Sequence, residues 1–80
     1  MLQVRKALET IKNASGWGWP GKKDKGDRTV EERWAVIRAA IEDQASGAMH
    51  VDLGTKDHAY TRAEAETLIA MTAALLPVMP

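Results

Sequence analysis

The first third of the chain consists of an amphipathic stretch followed by a glycine-rich stretch. Apolar residues recur every three or four positions between Leu2 and Asn13, with Lys and Glu between them, which predicts an amphipathic helix in segment 1–14. Ser15-Gly16 supplies a stop signal. Segment 15–28 contains GWGWPGKKDKG, whose four glycines and one proline exclude a continuous helix. We expect a long loop there.

Two further helices are predicted from their start signals. Thr29 and Glu32 have the spacing of a capping box, and so do Thr61 and Glu64. These signals predict helices over residues 29–46 and 61–76, followed by a tail over residues 77–80 that begins with Pro77. The first of the two has a predicted apolar stripe of Val30, Trp34, Ile37, Ile41 and Ala45, and the second has one of Ala65, Leu68, Ile69, Thr72, Leu75 and Leu76.

Between these helices the hydrophobic period changes from helical to alternating. Met49, Val51 and Leu53 alternate with His50 and Asp52, and a Gly-containing turn follows. This pattern predicts a short antiparallel β-hairpin over residues 48–60, returning at Tyr60. The predicted fold is therefore a single α+β domain over residues 1–80, in the order helix, loop, helix, hairpin, helix.

Composition limits the classes of protein that fit this plan. The 80 residues include no cysteine, which excludes disulfides and thiolate chemistry and fits a protein made in a reducing cytoplasm. The longest uncharged run, residues 67–80, is too short to span a bilayer, so no membrane partner is expected. Net charge is zero, but residues 1–30 carry seven Lys or Arg against three Asp or Glu, and the rest is acidic. This uneven charge distribution suits packing of the basic part of one copy against the acidic part of another. It is also compatible with charged surfaces that are simply solvated.

Enzymatic chemistry finds little support in the residue pattern. His50 and His58 are the only imidazoles, and with Asp52 or Asp57 they could form a metal or acid–base site if the hairpin pairs. Their spacing matches no metal-binding motif, and solvated histidines are a commoner explanation. The glycines of the Trp-containing loop follow a helix, unlike those of phosphate-binding motifs, which follow a strand. We therefore predict a non-enzymatic protein without a metal or cofactor.

The glycine-rich loop contains the first candidate contact site. Two indoles flanked by glycine and followed by basic residues could enter a protein pocket or stack on bases beside a phosphate backbone. Alternatively, one indole packs in the core, and the lysines are solvated. Acidic residues at positions 24 and 27 weaken the nucleic-acid interpretation. The predicted contact residues are Trp17, Trp19, Lys22, Lys23, Lys25 and Arg28.

The C-terminal segment is the second candidate contact site. The sequence LIAMTAALLPVMP is apolar on more than one helical face, which exceeds what one buried stripe requires. Packing against the first helix would cover part of this surface, and a subunit contact would cover the remainder. We predict that Leu76, Val78 and Met79 contact a partner.

Residues 46–62, SGAMHVDLGTKDHAYTR, resemble the gpW-like family of head-to-tail joining proteins of tailed phages. Ser46, Gly47, Val51, Gly54 and Tyr60 occupy the family's helix end, central strand, turn and aromatic positions, and the plan extends over residues 29–76. The first 28 residues depart from that plan. The resemblance implies two antiparallel helices against a hairpin and assembly as a ring beneath the portal of a DNA-filled head.

The resemblance leads to a specific functional expectation. It implies a joining subunit made in the host bacterial cytoplasm and incorporated into the virion, where it would form homo-oligomers, contact the portal or a neighbouring connector, and help retain DNA and attach the tail. Two alternatives remain at this stage. The protein could be a small phage-encoded inhibitor of a host protein, or a small nucleic-acid-binding module that uses the Trp-containing loop.

Overall fold

The computed structural model describes residues 2–46 and 60–80, and this part of the chain is helical. It contains helices α1 (Leu2–Ser15), α2 (Val30–Ala45) and α3 (Arg62–Ala74), together with short 3₁₀ helices at Lys25–Asp27 and Leu76–Val78. Each α-helix contacts the other two. The buried apolar residues come from these helices and their flanking segments, and they are Val4, Leu8, Ile11, Trp17, Ala35, Ile41, Ala45, Leu68 and Leu75.

The predicted α+β class is wrong, because the described residues form a helical fold without a strand. Most of the predicted hairpin, residues 48–59, lies outside the described residues. Tyr60 is described, and it lies in an irregular segment before α3 rather than in a strand. Its side chain packs against the core, and its hydroxyl donates a hydrogen bond to the Gln44 carbonyl. The described core is closed by contacts among three helices, so it does not require a sheet.

Helix α1 confirms the first predicted helix and ends at Ser15, one residue after the predicted boundary. Val4, Leu8 and Ile11 form its buried stripe. The helix ends where Gly16 adopts a φ of +77°, and the Gly16 amide donates to the Lys12 carbonyl at 2.8 Å. A glycine is favoured here because a Cβ atom raises the energy of this left-handed conformation.

Helix α2 begins as predicted but buries a different face. The Glu32 amide donates to the Thr29 hydroxyl at 3.1 Å, and the Thr29 amide donates to the Glu32 carboxylate at 3.0 Å, which completes the capping box. Val30 and Ile37, assigned to the apolar stripe from sequence, are exposed. The side chains buried on α2 are Ala35, Arg38, Ile41 and Ala45.

Helix α3 also has its predicted capping box, formed by Thr61 and Glu64. Its buried side is narrower than predicted, because Ile69 and Leu76 are exposed. The residues buried along this segment are Leu68, Thr72 and Leu75, and the Thr72 hydroxyl donates to the Leu68 carbonyl at 2.7 Å. The helix was predicted to extend to residue 76 but ends at Ala74, and a 3₁₀ helix that contains Pro77 follows.

Candidate functional site

Trp17 anchors the glycine-rich loop to α2. Its side chain is only 1% exposed, and its ring stacks on Trp34 with the centroids 6.0 Å apart and the planes inclined by 20°. The indole Nε1 donates a hydrogen bond to the Glu31 carboxylate at 2.6 Å. The expectation that one loop tryptophan packs in the core is confirmed at Trp17. The partner contact predicted for this residue does not fit a side chain that is almost fully covered.

A buried arginine holds the backbone of the same loop. Arg38 is 3% exposed, its Nε donates to the Trp17 carbonyl at 2.5 Å, and its Nη1 contacts the Glu42 carboxylate at 2.5 Å. These bonds offset the cost of removing a guanidinium from water. Sequence reasoning did not identify Arg38, because the carbonyl that it binds lies 21 positions earlier in the chain.

Trp19 faces solvent two residues after the buried indole. Its side chain is 60% exposed. The backbone changes direction around it, because Gly16 and Gly21 both have positive φ and the Gly18 amide donates to the Gly16 carbonyl at 2.9 Å. Pro20 further restricts this segment. The loop therefore presents the Trp19 indole to solvent from a backbone that Trp17 holds in place. The contact between Trp19 and a partner stays a prediction.

The basic residues of the loop form a weaker positive surface than their number suggests. Lys23 forms an ion pair with Glu32 at 2.6 Å, and this contact, with the Thr29 amide, lowers the pKa of the Glu32 carboxyl from its ordinary value of 4.5. Lys22 and Lys25 are exposed, whereas Arg28 is half-buried. Because acidic side chains at positions 24, 27, 31 and 32 accompany these cations, the loop lacks the continuous basic surface that phosphate-backbone binding favours.

The three C-terminal contact residues occupy different environments. Leu76 is 58% exposed and Val78 is 41% exposed, whereas Met79 is half-buried against the core. Two residues of α3 extend the exposed apolar surface. These are Ile69 and Met71, and Ile69 had been assigned to the core from its spacing. The uncharged run over residues 67–80 was the sequence signal for this surface, since it supplies more apolar residues than one stripe can bury.

Two open grooves flank α3, one on each side. The α1–α3 groove has a volume of about 520 Å³, and its lining includes Ala7 and Thr10 from α1 and Ile69 from α3. The α2–α3 groove has a volume of about 470 Å³ and is lined in part by Ile37 and Met71. Both are predominantly apolar, so they suit apolar side chains of a partner better than a charged substrate.

The described residues offer neither a metal site nor a membrane-spanning helix. Residues 2–46 and 60–80 contain no group of three or more His, Asp or Glu side chains placed to hold a metal ion. The hypothetical site at His50, Asp52, Asp57 and His58 lies outside the described residues. Among the helices of the described part, none is long and apolar enough to cross a membrane.

Comparisons with known proteins do not assign the chain to a family. No family model matches it, and neither the curated proteins nor the solved structures include a significant match. The similarity of residues 46–62 to the gpW-like joining proteins therefore stays a prediction, and much of that segment lies outside the described residues.

Proposed function

We propose that this protein is a non-enzymatic docking subunit that binds other protein subunits through the outer surface of α3 and the turn after it. One observation carries the proposal. Ile69, Met71, Leu76 and Val78 are each between 41% and 58% exposed, on a segment that has no charged residue after Glu66. These side chains lie on both sides of α3 and on the turn after it, and a small protein usually covers exposed apolar surface of this kind with a partner.

A protein partner fits this surface better than a nucleic acid does. Binding to a phosphate backbone depends on Lys and Arg side chains, and the outer surface of α3 beyond Glu66 has neither. The cations of the loop are accompanied by carboxylates, and Trp17 is too deeply buried to stack on a base. The centres of protein interfaces, by contrast, are depleted in charge and rich in large apolar side chains.

The assembly that we propose is the head-to-tail junction of a tailed phage. This choice rests on the resemblance of residues 46–62 to gpW-like joining proteins, and the exposed surface of α3 is compatible with a subunit that contacts a portal or connector. The hairpin that the family plan includes is not part of the described fold. The joining role must therefore be tested by partner binding rather than by similarity of fold.

Binding to a purified tailed-phage portal ring, and separately to a neighbouring connector protein, tests this role. We expect the full chain to co-sediment with one of them. Met71→Glu on α3, or Leu76→Glu in the turn after it, places a charge on this apolar surface. Either change should weaken binding about tenfold or more, because a contact of about 1.4 kcal/mol at an interface centre corresponds to that factor.

Val30→Glu is the matched control. Val30 is 65% exposed at the start of α2, so this substitution makes the same apolar-to-acidic change at a site away from α3. The N-terminal end of a helix favours a carboxylate, so the change should not destabilise the fold. This variant should bind as the wild type does. If the wild type binds neither assembly protein, or if Val30→Glu weakens binding as much as Leu76→Glu, the joining role through α3 is wrong.

A further inference from the structure

The backbone that leads to the exposed Trp19 is held by the interior of the protein. The Trp17 amide donates to the Ser15 hydroxyl at 3.1 Å, and the Trp17 carbonyl accepts from the buried Arg38 at 2.5 Å. The ring of Trp17 stacks on Trp34 in the core. Trp17 is therefore fixed at its amide, its carbonyl and its side chain, only two positions before Trp19.

The backbone that follows Trp19 is restricted as well. Pro20 holds its own φ at about −65° and disfavours a helical conformation for the residue before it. Gly21 has a φ of +81°, which side chains other than glycine rarely permit. Trp19 thus lies between an anchored residue and a restricted turn, and its indole is still 60% exposed.

We propose that Trp19 is a preorganised anchor that enters an apolar pocket on a folded protein partner. Tryptophan is enriched among the residues that dominate binding at protein interfaces. A side chain with two torsions on a restrained backbone also loses little conformational entropy when it binds. The Trp19 Nε1 donates no hydrogen bond to the described part of the chain, so the pocket that accepts the indole should contain a hydrogen-bond acceptor.

The charges that follow Trp19 favour a protein partner over a nucleic acid. Lys22, Asp24, Lys25 and Asp27 are all exposed, and none of them forms an ion pair with the described residues. A phosphate backbone would pair with the two lysines but would be repelled by the two aspartates. A protein surface can place carboxylates and ammonium groups opposite charges of both signs. We therefore expect the rim of the pocket to carry both.

This surface is separate from the one proposed on α3. No residue of loop 16–28 lines either of the two apolar grooves. Beyond the junction with α1, the hydrogen bonds and ion pairs that the loop makes to other described elements go to α2, at Glu31, Glu32, Arg33 and Arg38. The inference rests on the proposed docking function and adds a second contact surface to it. Two surfaces would let one copy hold two subunits together.

Titration of the full chain against the portal ring, and separately against the connector protein, tests the anchor. Trp19→Ala should raise the dissociation constant for one of them about thirtyfold or more, a loss typical of an interface anchor. Trp19→Phe should recover part of that loss, because it keeps an aromatic ring. Leu2→Ala is the matched control. It removes an apolar side chain that is 50% exposed at the start of α1, and it should bind as the wild type does.

Preorganisation has its own test, because it can be disturbed without removing the indole. Gly21→Ala should weaken binding about fivefold or more, since alanine disfavours the positive φ that follows Trp19. Gly26→Ala is the control. An added Cβ meets no atom within 4 Å at either position, and Gly26 does not have a positive φ. In the free protein, the {1H}–15N NOE of the Trp19 amide should be close to those of the α2 amides. A much lower value would overturn the preorganised backbone.

The outcomes distinguish this inference from docking through α3. Trp19→Ala that binds as tightly as the wild type, while Met71→Glu binds weakly, would overturn the anchor and retain the α3 surface. The opposite pattern would retain the anchor and overturn the α3 surface. A wild type that binds neither assembly protein would overturn both. Binding of a single-stranded DNA oligonucleotide that Trp19→Ala abolishes would overturn the protein partner. Circular dichroism of each variant checks that the helices remain folded.

Discussion

The rings of Trp17 and Trp34 stack with their centroids 6.0 Å apart, and this contact joins the glycine-rich loop to α2. The same loop presents Trp19 to solvent, so two indoles separated by one residue have opposite roles. Trp17 contributes to the core, and Trp19 is available to a partner. The loop is consequently a structural part of the fold as well as a candidate contact surface.

Replacing Trp17 with Ala should destabilise the protein by about 3–5 kcal/mol, the usual cost of removing a large buried aromatic side chain. The substitution also removes the hydrogen bond to Glu31. Urea denaturation followed by circular dichroism measures the change. Trp19→Ala is the control, and it should change the unfolding free energy by no more than about 0.5 kcal/mol because the side chain is exposed. Equal losses for the two variants would contradict the assignment of Trp17 to the core.

Arg38→Met should lower the unfolding free energy by about 1–3 kcal/mol, because the Trp17 carbonyl loses its buried hydrogen-bond donor. Methionine retains most of the volume of the side chain, which limits the contribution of a cavity. Arg62→Met removes an exposed ion pair with Glu66 and should cost less than about 1 kcal/mol. Chemical denaturation of both variants provides the comparison. A cost for Arg38→Met no greater than that for Arg62→Met would show that the buried contact does not stabilise the loop.

Gly16→Ala should destabilise the protein by about 1 kcal/mol, because alanine is disfavoured at the positive φ that ends α1. Gly18→Ala is a close control. A Cβ atom added at either position has no neighbouring atom within 4 Å, and Gly18 does not have a positive φ. Thermal and urea unfolding should therefore separate the two variants. Similar destabilisation by both would mean that φ at Gly16 is not the cause.

The lowered pKa of Glu32 predicts a specific pH dependence. Lys23 and the Thr29 amide stabilise the carboxylate in the folded state. Its contribution to stability is therefore fully present above the ordinary pKa of 4.5 and is lost as the pH falls through the lower pKa of the folded protein. Glu32→Gln retains a side-chain acceptor for the capping box but cannot titrate.

The difference in urea midpoint between the wild type and Glu32→Gln measures this effect across pH. The wild type should be the more stable protein at neutral pH, and its advantage should disappear under acidic conditions. Lys23→Met should reduce the advantage at neutral pH, because it removes the ion pair with Glu32. A difference between the wild type and Glu32→Gln that does not change with pH would contradict the prediction.

Local signals in the sequence predicted the starts of α2 and α3 and the end of α1. Both capping boxes, at Thr29 and at Thr61, form as expected because each depends on side chains and amides within one turn of helix. The end of α1 at Gly16 follows from the conformational freedom of glycine. The end of α3 was predicted less well, because the helix ends at Ala74, two residues before the predicted boundary, and Pro77 lies in the 3₁₀ helix that follows.

The sequence pattern was less informative about which residues are buried. Periodicity assigned Ile37 and Ile69 to the core, but both are exposed, and Arg38 is buried in contact with Trp17. A hydrophobic period identifies an apolar side of a helix, but it does not specify how much of that side another element covers. The α+β prediction was based on the alternation between residues 49 and 53, which lie outside the described residues, whereas the described core is closed by three helices.

Residue patterns alone were enough to place the starts of α2 and α3 and the end of α1, to exclude thiol chemistry, and to indicate more apolar surface near the C terminus than one helix stripe can bury. Only the tertiary structure decided that Trp17 is buried while Trp19 is exposed, and that Ile69 and Leu76 border an open groove beside α1. The physical reason is the range of the interactions. Caps and helix ends depend on neighbours within about four positions, whereas burial depends on contacts between elements that are distant in the chain.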